Sequence, residues 1–147
     1  MLGSLARKLR VFGFDTEYFR DGPDSELERL AREEGRILLT SDRRLFAHAT
    51  ARGLQTFLVQ GRSERARIES IVEQASSASI GLDPGATRCA LCNEALTPLK
   101  KGDLKGRVPE SVRRRHREFY ACDRCSKLYW KGRQWSRLRR LSSVLRP

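Results

Sequence analysis

Four cysteines carry the clearest chemical signal in the chain, and they form two C-x₂-C pairs. Cys89 and Cys92 make the first pair, and Cys122 and Cys125 make the second. Two thiolates at this spacing can face one metal ion from a tight turn, and zinc takes four such ligands tetrahedrally. The pattern therefore predicts a structural zinc site, closed to substrate because the protein supplies all four ligands.

Two other arrangements use the same four residues. A pair of disulfides would need an oxidising compartment, and nothing in the sequence points to export. A redox C-x-x-C motif would not require a second copy of the pair. A module of this size can bury only a small core, so a bound metal would meet its need for further stabilisation.

Acidic residues open or precede two predicted helices and form the second candidate site. Asp21, Asp24 and Glu26 lie around the start of one helix, and Asp42 lies at the start of the next. Converging carboxylates bind Mg²⁺ or Mn²⁺, ions that activate water and stabilise the charge on a scissile phosphate. Alternatively, Asp24 and Asp42 are simply helix caps, a position that Asp fills routinely.

Basic and aromatic residues are interleaved in the second half of the chain. Cationic side chains bind phosphates, and aromatic faces stack on exposed bases. Alternatively, Trp130 and Trp135 pack in a small core and the arginines are only solvated. The residues predicted to contact RNA are Arg113, Arg114, Arg115, Arg117, Lys131, Arg133 and Trp135.

The distribution of charge favours a polyanionic partner. Residues 1–86 contain 13 Lys/Arg and 13 Asp/Glu, whereas residues 87–147 contain 17 Lys/Arg and 5 Asp/Glu. The whole net charge of +12 therefore lies in the half with the cysteines, which favours RNA or DNA over a membrane surface. No apolar run is long enough to span a membrane and no leader is evident, so we expect a cytoplasmic protein.

Helices and strands alternate through the first half of the chain, and they must position the acidic residues. The predicted order is a helix over 2–11, a strand over 15–19, a helix from 25, a strand over 36–40, a helix to about 52, a strand over 54–59 and a helix from 63. This alternation predicts an α/β fold with a small parallel sheet covered on both faces. Ligands of such sheets gather beyond the carboxyl ends of the strands, where these acids lie.

Composition divides the chain into three parts. We predict a front domain over 1–78, a linker over 79–88 that is rich in turn formers, and a Cys₄ zinc ribbon over 89–147 that ends in a basic amphipathic helix. Within the ribbon we predict a short helix over 110–117. Two strands, 118–121 and 128–130, should lead into and out of the second cysteine pair.

Four segments are distinctive when they are taken together: 1–16, 34–45, 105–109 and 122–132, with Trp135 close behind. They resemble the Mut-seven C-terminal RNase family, a PIN-like nuclease domain followed by a zinc ribbon. The likeness covers nearly the whole chain. The ribbon segment and the Leu-Leu-Thr-x-Asp segment are its most specific parts.

This resemblance implies a three-layer PIN-like fold and divalent-metal-dependent cleavage of RNA by acidic metal ligands. Asp42 matches the family's acid after the Leu-Leu-Thr strand, and Asp24, or less directly Asp21 or Glu26, matches the acidic turn. Members usually begin with a strand that ends in an aspartate just before the Met-Leu-Gly segment. This sequence starts at that Met, so the expected sheet lacks its first strand.

The leading hypothesis is a ribonuclease that uses Mg²⁺ or Mn²⁺ for catalysis and a structural zinc ribbon to hold RNA. The alternative is a non-catalytic RNA-binding or ribosome-associated protein that has lost the first strand and its aspartate. A third hypothesis is a DNA-binding regulator that uses the ribbon alone. The sequence does not indicate an oligomeric state.

Overall fold

The computed structural model describes residues 2–82 and 85–132 of the 147-residue chain, which combines helices with two separate sheets. In chain order the elements are α1 (Gly3–Val11), α2 (Asp24–Glu33), β1 (Leu38–Thr40), α3 (Arg43–Ala51), β2 (Thr56–Leu58), α4 (Glu64–Ser77), β3 (Leu96–Pro98), a 3-10 turn (Lys101–Leu104), α5 (Glu110–Arg115), β4 (Phe119–Cys122) and β5 (Leu128–Trp130). None of the helices in the described part of the chain is long and apolar enough to cross a membrane.

Contacts divide the chain into two compact units. Among the described residues, the front unit consists mainly of 18–82, and the ribbon unit consists of 4–17 together with 85–132. Segment 4–17, which the sequence grouped with the front domain, thus groups by contact with the half that carries the cysteines. Each unit is described separately below.

The front unit contains a small parallel sheet, as the alternation of helices and strands predicts. Strand β1 pairs with β2 in parallel, with Leu39 opposite Phe57. Helix α3 connects them, because parallel neighbours need a crossover connection. The core beside the sheet consists of Ala31, Leu38, Leu45, Ala49 and Leu54, with Leu27 packed against it.

The strand predicted over 15–19 is wrong, because this segment forms no strand in the structure. It is part of the ribbon unit up to Glu17, where side chains satisfy its backbone. The Thr16 N–H donates to Asn93 Oδ1 over 3.0 Å, and the Thr16 carbonyl accepts from Arg10 Nε over 2.7 Å. The segment resembled a strand, but its hydrogen-bond partners are a side chain of helix α1 and a side chain of the first cysteine turn, and not a neighbouring strand.

The turn before α2 also differs from the prediction, which made Asp24 the cap of this helix. Asp24 is the first helical residue, Pro23 occupies the N-cap, and no side chain caps the helix. Gly22 has φ of +141°, and a Cβ at this position would lie 2.5 Å from the Phe19 ring. Only glycine therefore fits the turn that leads into α2.

The ribbon unit contains an antiparallel sheet in the order β3-β4-β5. Tyr120 lies opposite Pro98 on one side and Tyr129 on the other, whereas Phe119 lies opposite Trp130. Because side chains alternate between faces along a strand, the two tyrosines share one face and Phe119 shares the other with Trp130. The core of the unit consists of Leu104, Val108 and Phe119, with Leu99, Val112 and Leu128 packed against it.

Sequence patterns located the ribbon elements well. Helix α5, strand β4 and strand β5 all lie within one residue or two of the predicted ranges 110–117, 118–121 and 128–130. The predicted C-terminal amphipathic helix, with Arg133 and Trp135, lies outside the described residues.

Candidate functional site

Two turns of the same construction present the cysteines. In the first, Asn93 N–H donates to the Cys89 carbonyl over 2.9 Å, and Cys89 N–H donates to the Glu94 carbonyl over 2.8 Å. In the second, Ser126 N–H and the Lys127 carbonyl bond to Cys122 in the same way, over 2.8 and 2.9 Å. Asn93 and Ser126 both have left-handed backbones, with φ of +67° and +59°. Each C-x₂-C pair is therefore fixed by local backbone bonds.

The four sulfur atoms meet at one point. All four Sγ atoms lie within 4.8 Å of one another, with Cys89 3.5 Å from Cys125 and Cys92 3.4 Å from Cys122. A tetrahedral zinc ion with Zn–S bonds of about 2.3 Å requires sulfurs roughly 3.8 Å apart. The cysteines are free, and a disulfide would need sulfurs about 2.05 Å apart. The donor set and its spacing fit a zinc ion.

Tyr129 supports this centre from strand β5. Its hydroxyl lies 3.1 Å from Cys89 Sγ and accepts from Ala90 N–H over 3.2 Å. Burial raises the pKa of the Cys89 thiol, but hydrogen bonds from Tyr129 and from backbone N–H groups outweigh burial and lower this pKa to about 6. Burial raises the pKa of Cys92 to about 12 and also raises that of Tyr129. The tyrosine thus stays protonated and donates to the Cys89 thiolate, the form that binds a metal.

Arg10 fixes the first cysteine turn to the N-terminal segment. It is almost fully buried, and its Nη1 donates to the Ala90 and Leu91 carbonyls, each over 3.0 Å. Its Nε donates to Thr16, so one guanidinium joins both segments. The sequence offered one signal: Arg10 is four residues after Ala6, on the buried side of α1.

Asn93 makes the reciprocal connection from the cysteine turn. Its Oδ1 accepts from Thr16 N–H, and its Nδ2 donates to Asp15 Oδ1 over 2.7 Å and to Glu17 Oε1 over 2.9 Å. The side chain is buried, and its amide uses the oxygen and both nitrogen hydrogens. Segment 15–17 is therefore ordered by a residue of the first cysteine turn, which no local pattern in the sequence indicated.

Asp42 is the N-cap of α3, as one of the two readings of the sequence expected. Its Oδ1 accepts from Arg44 N–H over 2.7 Å and from Leu45 N–H over 3.2 Å. The side chain is exposed and follows β1 directly. The cap orients the carboxylate and uses its Oδ1 as the acceptor of both hydrogen bonds.

Asp21, Asp24 and Glu26 are exposed around the turn that leads into α2. Asp24 and Glu26 lie in the first turn of that helix, and Glu26 Oε2 lies beside Gly22. Among the residues that the structure describes, three or more potential metal ligands converge only at the four cysteines. A shared cation site of Asp21, Asp24, Glu26 and Asp42 therefore remains a prediction.

Glu28 is a functional candidate that the sequence reading missed. It is buried, and its Oε1 lies 2.7 Å from His48 Nδ1, while its Oε2 lies 3.7 Å from Arg52 Nη1. Glu28 is one turn after Asp24 on α2, and its two partners lie on or just after α3, the helix that Asp42 caps. The contact therefore connects the two helices that carry the predicted catalytic aspartates.

The predicted RNA-binding residues have different environments. Arg114 pairs with Glu110, and Lys131 pairs with Glu118. Arg113 is half-buried, and its Nε has no hydrogen-bond partner among the described residues. Arg115 and Arg117 are exposed, while Arg133 and Trp135 lie outside the described part of the chain. The arginines that are exposed on and after α5 are the strongest phosphate-binding candidates.

Comparison with known families identifies one match. Residues 1–142 match the family model of the Mut7-C RNAse domain. Neither the curated proteins nor the solved structures contain a match to the chain. The family match spans both units, including the cysteine-bearing half.

Proposed function

The chain belongs to the Mut7-C RNase domain family, and from this we propose that it is a metal-dependent ribonuclease that cleaves RNA phosphodiester bonds. The family match over residues 1–142 is the observation that carries the proposal. In this account the front unit cleaves RNA and the ribbon unit holds it.

The catalytic part of the proposal rests on the exposed acids at the starts of α2 and α3. Asp42 and Asp24, with Asp21 and Glu26 nearby in sequence, would hold Mg²⁺ or Mn²⁺, since these ions prefer carboxylate oxygen. A cation held there would supply Lewis-acid polarisation of the phosphate and activation of water. The helix cap would keep the Asp42 carboxylate in one orientation, and a catalytic group that is already oriented favours reaction.

We extend the proposal to the fold of the front unit, a PIN-like three-layer arrangement. The parallel pair β1–β2 and the helices between and around these strands support this. Asp42 follows β1 at its carboxyl end, the edge at which α/β sheets bind ligands. The acids would thus act at the position that this architecture favours.

The ribbon unit would hold a structural zinc ion at its cysteines and RNA at its arginines. The convergence of the four sulfurs supports the zinc site. The excess of basic residues, with Arg115 exposed at the end of α5 and Arg117 exposed just after it, supports binding of phosphates. The zinc ion would contribute to folding and not to catalysis, because its four ligands leave no position for substrate.

The proposal is tested by incubating the chain with labelled RNA and Mn²⁺, beside an Asp42→Asn variant. Asparagine caps helices as well as aspartate does, so the variant should keep its fold. Cleavage should fall about a hundredfold or more, because a charged cation ligand is lost. Glu69→Gln, which removes an exposed carboxylate from α4, is the matched control and should cleave normally.

Equal cleavage by wild type and Asp42→Asn would remove the catalytic assignment. RNA binding without cleavage by either chain would support the alternative, a non-catalytic RNA-binding or ribosome-associated protein. Both outcomes leave the zinc site open to independent measurement by metal analysis.

A further inference from the structure

One face of the ribbon sheet forms the floor of a cavity of about 790 Å³, called the groove below, that lies wholly within the ribbon unit. The register puts Pro98, Tyr120 and Tyr129 side by side on this face, with Leu96 two residues before Pro98. Val11 of α1 is among the other residues that line the cavity. Its size is typical of binding sites for small molecules, which have volumes of about 300–1,000 Å³.

Charge around this groove has one sign. Lys127 and Lys131, which flank β5, both line the groove. Lys131 is paired with Glu118, so a substitution of Lys131 would also change this ion pair. Lys127 is therefore the better residue at which to test phosphate binding. Among the described residues, no acidic side chain lines the groove.

The aromatic floor is held in place by the first cysteine turn. Tyr129 is fixed at its hydroxyl by Cys89 and Ala90, and it lies opposite the half-buried Tyr120 in the register of the sheet. A ring that is already ordered loses little conformational entropy when a ligand stacks on it. Two tyrosines on neighbouring strands could stack on the flat base of a nucleotide, and a lysine that lines the same groove could bind its phosphate.

We propose that this groove binds an unpaired nucleobase of the RNA, stacked on Tyr120 and Tyr129, with its phosphate at Lys127. The inference rests on the proposed function and deepens it, because it names single-stranded RNA as the substrate class. A base within a duplex has both faces covered by its neighbours and cannot stack on the sheet. The ribbon unit would therefore select single strands, while α5 adds sequence-independent phosphate contacts.

The test uses the 147-residue chain with Asp42→Asn, so that RNA stays intact during binding measurements. The probe is a 12-nucleotide single-stranded RNA with 2-aminopurine, a base whose fluorescence is quenched by stacking. Tyr120→Ala should bind this RNA about 5- to 100-fold more weakly, the range expected when one stacking ring is lost. Tyr120→Phe should bind within about twofold of the parent, because the stacking ring remains.

Two controls separate the groove from general effects. Leu91→Ala removes another exposed apolar side chain of the ribbon unit, outside the groove, and should leave affinity unchanged. Lys127→Ala should lower the slope of log affinity against log salt by about 0.7, the value for one phosphate on a single strand. Lys105→Ala, the same change away from the groove, should leave that slope at the parent's value. Zinc content of one ion per chain shows that each variant is folded.

The proposal is overturned if Tyr120→Ala binds as tightly as Tyr120→Phe, if 2-aminopurine is not quenched, or if a duplex of the same sequence binds equally well. Dimerisation that depends on Tyr120 and excludes RNA would also overturn it, because the occupant would then be a second copy. If Tyr120→Ala does not bind zinc, it is not folded, and the proposal is then judged from the salt slopes of Lys127→Ala and Lys105→Ala. Cleavage is measured separately on the chain with Asp42, so quenching without cleavage rejects the nuclease and keeps the groove.

Discussion

The two units present their candidate ligand residues in two different ways. In the ribbon unit, each cysteine pair is fixed by a turn of six residues, and the four sulfurs converge. In the front unit, the acids lie at the starts of two different helices, and one of them also serves as a helix cap. Spacing in sequence defines a site when the ligands share a turn, whereas ligands on separate elements depend on tertiary packing.

Removal of the metal should produce the largest difference in stability between the two units. Addition of a chelator, or Cys122→Ser, should unfold the ribbon unit, because a structural zinc contributes about 10 kcal/mol of apparent binding free energy. Hydrogen exchange should then speed up in 85–132 and also in 4–17, which Arg10 and Asn93 attach to the cysteine turn. Protection of β1 and β2 should persist.

Uniform loss of protection in both units would contradict this division, as would persistence of structure in 4–17 after the metal is removed. The control is Glu69→Gln treated with the same chelator, which should match the wild type. Because this variant keeps all four cysteines, its response to the chelator reports the loss of the metal and not the loss of a cysteine.

Arg10→Met should have the next largest effect. It leaves the carbonyls of Ala90 and Leu91 without their donor at two partly buried hydrogen bonds, and an unsatisfied buried polar group costs about 1–3 kcal/mol. We expect a loss of about 3 kcal/mol in the free energy of unfolding of the ribbon unit, measured by urea denaturation with zinc present. Arg7→Met, an exposed arginine on the same helix, should change stability by less than about 0.5 kcal/mol.

Glu28 and His48 should couple the two helices that carry the aspartates. A double-mutant cycle with Glu28→Ala and His48→Ala should give a coupling energy of about 1 kcal/mol, measured as the free energy of unfolding. The exposed pair of Arg29 and Glu33 on α2 is the control and should give about 0.3–0.5 kcal/mol. Equal coupling in both cycles would mean that burial of Glu28 adds nothing to the contact.

Substitutions of Asp42 should have the smallest effect on stability, and they discriminate between its roles as a helix cap and as a metal ligand. Asp42→Ala should cost about 1 kcal/mol of stability because the cap of α3 is lost, whereas Asp42→Asn should cost only a few tenths. Both variants should lose cleavage alike. Activity that followed stability, with Asp42→Asn active and Asp42→Ala impaired, would show that Asp42 acts only as a cap.

Much of the ribbon unit could be predicted from the sequence because its determinants are local. The spacing of the cysteines predicts their cluster, and the apolar residues around Tyr129 predict β5. In the front unit, Asp42 caps α3 as one interpretation of the sequence expected, and the helix predicted from residue 63 begins at Glu64 with Ser63 as its cap. These features depend on residues within a few positions of one another.

The failures involve contacts between distant parts of the sequence. Residues 15–17 looked like a strand, but their order depends on Arg10 and on Asn93, which is 77 residues after Thr16. The hydrogen bond from Tyr129 to Cys89 joins residues 40 positions apart, and that from His48 to Glu28 joins residues 20 apart. A single sequence gives no periodic signal for one buried polar side chain that meets its partner across the fold.

The division of labour between the units is tested most directly by measuring affinity and cleavage rate on the same chains. Single-turnover cleavage of labelled RNA is followed in Mn²⁺ over a range of protein concentrations, for Asp42→Asn and for Arg115→Ala with Arg117→Ala. The account predicts that Asp42→Asn lowers the rate at saturation without changing the affinity for RNA, and that the double arginine variant weakens the affinity without changing that rate. If both variants lower the same quantity, the two units do not divide the work, and the account is wrong.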